Sequence, residues 1–132
     1  VTGLAWALAV TLKTIATVEV MGSGDDRAAT RLEAAIQADL DSLIACWAAA
    51  KPNDEEPLHF LTAVATMNPA KGSIRRWEVR SGTSSADLDA CLEARAATWT
   101  ASPPPQFPDR YRVTIRYAWV DEQGNLATPP KP

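Results

Sequence analysis

Apolar and polar positions alternate along Thr11 to Met21. Leu12, Ala16, Val18 and Val20 fall at even spacing, with Lys13, Thr17 and Glu19 between them. A period of two predicts a strand. From about Arg27 to Ala50 the period lengthens. Leu32, Ile36, Leu40, Leu43 and Trp47 recur at steps of three and four, which predicts one amphipathic helix. Asp25 or Asp26 can cap its start. Leu58 to Met67 carries no charge and has apolar side chains in both alternating sets, the pattern of a central strand. Ser73 to Arg80 alternates again, with Trp77 and Val79 opposite Arg76, Glu78 and Arg80. The short Asn68–Gly72 turn between these runs predicts a hairpin. A second helix follows, with Ser84 and Asp87 at capping-box spacing and Leu88, Cys91, Leu92, Arg95, Ala96 and Trp99 on one face. Arg95 is expected to snorkel at the margin of that face. Tyr111 to Val120 is the clearest half-buried strand. Tyr111, Val113, Ile115, Tyr117 and Trp119 alternate with Arg112, Thr114, Arg116 and Ala118.

Proline marks the boundaries, because it donates no backbone hydrogen bond and resists element interiors. Pro52 and Pro57 bracket one turn. Pro103, Pro104, Pro105 and Pro108 crowd another, and Pro129, Pro130 and Pro132 lie in the tail. The chain therefore divides into residues 1–24, an apolar segment and strand ending in the Gly22-Ser23-Gly24 joint; residues 25–122, the folded domain; and residues 123–132, a Pro-rich tail. The expected architecture is α+β. It is a three-stranded antiparallel sheet of order 2-1-3 with two helices on one face, plus an extra N-terminal strand. A right-handed return through the second helix places Tyr111–Val120 beside Leu58–Met67 and at a sheet edge. Val1 to Leu12 is uncharged, and its apolar run is about half of a membrane span. It reads as the start of a strand or helix, or as the remnant of a membrane anchor upstream of the domain.

The 132 residues suit one domain with a real core, and 46% apolar against 22% charged residues are globular values. The net charge of −3 argues against a dedicated nucleic-acid binder. No Gly-rich phosphate loop and no G-x-S-x-G elbow occur, so no cofactor is expected. His59 is the single histidine, and its apolar neighbours favour a structural role over a catalytic one. Asp39/Asp41 and Glu55/Glu56 read as solvated charge. Trp47, Trp77, Trp99 and Trp119 fall on expected core faces. Cys46 and Cys91, with His59, are too few and too scattered for a closed zinc site. On their own the two cysteines form either one bridge or two thiols.

From Leu32 onward several features occur in a set order. Cys46-Trp47 ends the first helix. An apolar strand, Gly72 before Ile74, and Val79-Arg80-Ser81 follow. Leu88-Asp89-Ala90-Cys91-Leu92 lies on the second helix, then come Trp99, prolines and a closing strand. In this order the sequence resembles the TonB C-terminal domain superfamily. It is most similar to the variant in gliding-motility and other envelope proteins of myxobacteria and their relatives. Ala101 stands where that family often has Phe. The resemblance implies a periplasmic domain of the Gram-negative cell envelope and a Cys46–Cys91 disulfide. It implies a non-enzymatic module that captures a protein or peptide partner by adding it as a strand to a sheet edge. The edge so implied is Tyr111, Arg112, Val113, Thr114, Ile115, Arg116 and Tyr117, with Arg112 and Arg116 attracting an acidic segment. Two alternatives accompany this reading. The arginines can serve only to protect the edge, and the domain can be a structural piece that rigidifies a larger assembly. If Thr11–Met21 pairs with that edge, the docking position is occupied.

Overall fold

The computed structural model describes residues 12–22, 26–50, 57–81 and 85–128. The element order is β1 (Lys13–Gly22), α1 (Asp26–Gln37), α2 (Leu40–Ala50), β2 (Leu58–Met67), β3 (Ile74–Ser81), α3 (Ala86–Ala96) and β4 (Arg110–Val120). The fold is α+β, with one antiparallel four-stranded sheet of order β1-β4-β2-β3. The expected 2-1-3 arrangement survives inside it as β3-β2-β4. The Val1–Leu12 segment, the Ser23-Gly24 joint and the final prolines lie outside the described residues, except for Leu12 itself.

The alternation read from the sequence sorts the sheet into two faces. Ala16, Val18, Val20, Leu61, Ala63, Ala65, Met67, Tyr111, Val113 and Ile115 are buried in the core that the helices cover. Leu32 and Ile36 of α1, Leu43 and Trp47 of α2, and Leu88 and Leu92 of α3 fill it from the other side. Apolar burial of this kind contributes roughly 25 cal/mol per Å² removed from water. β2 is the central strand its pattern predicts, flanked by β4 and β3. The described helices leave the opposite sheet face uncovered around Phe60, which is 53% exposed.

Among the described residues three helices form where two were expected. The apolar stripe from Leu32 to Trp47 is continuous, but the backbone ladder is not. Asp39 N–H donates to Ile36 C=O at 2.9 Å, a tightened last turn. Asp39 C=O then accepts from Ser42 and Leu43 N–H at 3.0 and 3.3 Å. Asp39 thus closes one helix and opens the next. The cap of α3 is Ser85, one residue beyond the expected Ser84. Its Oγ accepts from Leu88 N–H at 3.1 Å, satisfying a donor the helix start leaves free.

The larger correction concerns β4, which is not an edge strand. β1 pairs with it from Lys13↔Val120 to Gly22↔Tyr111, and β2 pairs with its other side from Leu58↔Ala118 to Thr66↔Arg110. Gly22 closes that contact, because its backbone lies against the Tyr111 ring where a Cβ would overlap. Beyond β4, Asp121 holds a turn through Oδ1, which accepts from Gln123 and Asn125 N–H. The chain then folds back, with Ala127 N–H donating to Trp119 C=O at 3.0 Å.

Candidate partner-binding surface

The seven residues expected to form a docking edge separate into two sets. Tyr111, Val113, Ile115 and Tyr117 point into the core and are buried. Tyr117 stacks on Trp47 at 4.5 Å and donates its hydroxyl to Leu43 C=O at 2.8 Å. Burial pushes its phenol pKa up. Arg112, Thr114 and Arg116 lie on the helix-free face. Their backbone is engaged by β1 on one side and β2 on the other, so these residues offer a partner side chains and no open ladder.

The true borders of the sheet are β1 and β3. A border strand presents unpaired amides and carbonyls, and folded proteins blunt such rows. At β1 the blunting comes from α1. Glu33 Oε1 accepts from Val20 N–H at 2.9 Å, and Gln37 Nε2 donates to Val18 C=O at 3.5 Å. At β3 it is confined to the beginning, where Ser73 bridges to Thr100 and Ala101 N–H donates to Gly72 C=O at 2.8 Å. Among the described residues no further backbone hydrogen bond reaches the outer side of β3 from Arg75 to Ser81. Three arginines, Arg75, Arg76 and Arg80, lie on this strand beside one acid. Glu78 pairs with Arg76 at 2.8 Å and with Arg80 at 3.3 Å. The alternation over Ser73–Arg80 signals this strand in the sequence, but which border of the sheet stays open is set by the pairing of β1 with β4.

The cysteines meet as the resemblance implied. Cys46 of α2 and Cys91 of α3 form a disulfide with Cα atoms 5.7 Å apart, closing a loop across 45 positions. A bond of this kind persists in an oxidising, extracytoplasmic environment. Beside it lies a polar contact that composition did not reveal. The Asp39 carboxylate accepts from Arg95 Nε and Nη2, each at 2.9 Å, and from Trp99 Nε1 at 2.8 Å. Burial works to raise the Asp39 pKa. Hydrogen bonds from Trp99, Ser42 and Arg95, with the Arg95 charge, outweigh it and hold the carboxyl below its ordinary value. Asp39 is therefore no solvated charge, and Arg95 does not snorkel but pairs. Asp41 is exposed.

His59 is buried against Trp47, with ring centroids 5.0 Å apart. Trp47 and Trp99 are buried in the core, while Trp77 meets Trp99 edge-on at 5.7 Å and is half-buried. Trp119 is half-buried too, although the pairing of β4 runs without a bulge through it, while Ala118 and Val120 on the other side of the strand are buried. Glu55/Glu56 and Trp6 lie outside the described residues. Among the described residues no group of three or more His, Cys, Asp or Glu is placed to hold a metal, and no helix is long and apolar enough to cross a membrane. Comparison of the chain with protein-family models, curated proteins and solved structures found no match.

Proposed function

We propose that this domain is a non-enzymatic protein-interaction module of the periplasm, part of a cell-envelope protein, that captures an extended partner segment by strand addition. The resemblance to TonB C-terminal domains suggested the mode, and the sheet borders move its location. With β4 enclosed and β1 blunted by Glu33 and Gln37, the border that can accept a strand is β3. The observation that carries the reading is the row of backbone groups on β3 without partners among the described residues. An added strand would complete these pairs, and alternate side chains would supply selectivity. Arg75, Arg76 and Arg80 favour an acidic segment. The disulfide supports the compartment, since a bridge between α2 and α3 is kept only under oxidising conditions.

The test is a selection from displayed random short peptides, followed by amide hydrogen exchange on the complex. Enriched acidic peptides that slow exchange between Arg75 and Ser81 are the expected result. Enriched peptides that leave those amides unchanged would refute strand addition at β3. The second reading, a structural domain that rigidifies a larger assembly, is favoured by the full occupation of β4 by β1. It predicts that no peptide is enriched at all.

A further inference from the structure

The helix-free face of the sheet has a composition unlike the rest of the chain. Cross-strand pairing sets its rows. Met21, Arg112, Val64 and Glu78 form one row, and Thr17, Arg116 and Phe60 form another. Five arginines, Arg76, Arg80, Arg110, Arg112 and Arg116, stand on this face against Glu19 and Glu78, on a chain whose net charge is −3. Glu78 is taken up by Arg76 and Arg80. No described carboxylate forms an ion pair with Arg110, Arg112 or Arg116. Two large apolar side chains are exposed among them, Met21 at 61% and Phe60 at 53%.

At the Gly22 end of the sheet these groups surround a cavity of about 380 Å³. Arg80, Arg110 and Arg112 line it together with the apolar side chains of Met21 and Val64. Guanidinium groups bind carboxylates by paired hydrogen bonds. The apolar walls select an anion carried beside a hydrocarbon group. Inorganic phosphate would leave those walls uncovered, and a flat bilayer surface would not enter the recess. Arg116 beside Phe60 repeats the pairing of charge and apolar surface farther along β4. Arg112 and Arg116 are four residues apart, roughly 13 Å at about 3.3 Å per residue. An extended peptide with carboxylates at i and i+4 has the same spacing and presents both on one side.

We propose that this face is a second docking surface, and that its occupant is an acidic extended peptide segment punctuated by apolar residues. One carboxylate enters the recess formed by Arg80, Arg110 and Arg112, and an apolar residue two positions along, on the same side of the extended peptide, lies over Met21 and Val64. A second carboxylate meets Arg116 beside Phe60. This goes beyond capture at the β3 border, since it uses side chains on the open face and needs no unpaired backbone.

The test titrates the isotopically labelled full chain with an acetylated, amidated peptide of repeating Glu-Ser-Leu-Ser, which sets Glu at i and i+4 and Leu at i+2 on one side of an extended chain, and follows backbone amide shifts. Shifts at Met21, Gly22, Val64, Arg112 and Arg116 are expected. Replacing both Arg110 and Arg112 with Gln should weaken binding by about tenfold or more, with the spectrum otherwise retained. Arg116→Gln should weaken it by a smaller factor, and Lys71→Gln, in the β2–β3 turn, should leave it unchanged. The proposal is overturned by an absence of shifts. It is equally overturned if the matching Gln-Ser-Leu-Ser peptide, inorganic phosphate or phosphatidylglycerol vesicles produce the same shifts with the same sensitivity to the double variant. Slowed exchange at β3 without shifts on the open face would overturn this proposal and leave strand addition standing. The converse result would do the opposite.

Discussion

Asp39→Ala removes one small side chain and with it the hydrogen bonds that Arg95 and Trp99 make to it at the junction of α1, α2 and the end of α3. The two donors, Arg95 and Trp99, are affected differently. Arg95 keeps 37% of its side chain in contact with solvent, so water takes over much of its hydration. Losing that pair costs no more than about 1 kcal/mol. Trp99 is 2% exposed, and its indole N–H loses the acceptor at 2.8 Å. A buried donor left without a partner costs roughly 1–3 kcal/mol. The expected loss is therefore about 1–4 kcal/mol, with Trp99 as its larger part. Urea denaturation of the wild type, Asp39→Ala, Trp99→Phe and the double variant measures it. The cycle should give a coupling of about 1–2 kcal/mol between Asp39 and Trp99. Asp41→Ala, two residues away and exposed, should stay within about 0.5 kcal/mol of wild type. The pH dependence has a definite sign. Because the folded state lowers the Asp39 pKa, its contribution is complete above the unfolded value of roughly 4 and is lost as pH falls through the lower folded value. The gap between wild type and Asp39→Ala should narrow in acid. A loss no larger than that of Asp41→Ala, or a gap constant down to strongly acidic pH, would refute the reasoning.

Two further stability changes are expected. Reducing the Cys46–Cys91 bond, or replacing both cysteines with Ala, should lower stability by about 4 kcal/mol in the chain-entropy account of a loop this long. Denaturation with and without reductant reads that loss, and a thiol assay on native protein should find neither cysteine free. Gly72→Ala should cost about 2 kcal/mol or more by thermal unfolding. The site has φ +71, and an added Cβ would run into Ala101 C=O, whose own residue donates N–H to Gly72 C=O. Gly124 also has positive φ but nothing within 4 Å, so Gly124→Ala should cost less.

Much of the fold is legible in the chain because the signals are local. The alternation over Tyr111–Tyr117 decides which side chains face the core whatever strand lies alongside, since period two is a property of one strand. The uncharged Leu58–Met67 run and the caps and turns around α3 are equally local. Of the candidate surface, the polar side of β3 was readable in Arg76, Glu78 and Arg80. The exposure of Phe60 was not, because an apolar residue on a strand looks the same whether or not a layer covers it.

Local pattern was enough to set the strands, the apolar stripes of the helices and most of the residues that fill the core. Which borders stay open depends on pairing between distant segments. Pairing β1 with β4 joins residues about a hundred positions apart, and no local pattern encodes such a contact. It enclosed the Tyr111–Tyr117 backbone and left β3 at the border. Tertiary structure also decided the break at Asp39. The apolar stripe runs through that position without interruption, and the carboxylate finds its partners in Arg95 and Trp99, more than fifty residues along the chain. A side chain's pattern fixes the direction it faces, but only the folded neighbours fix what it meets there.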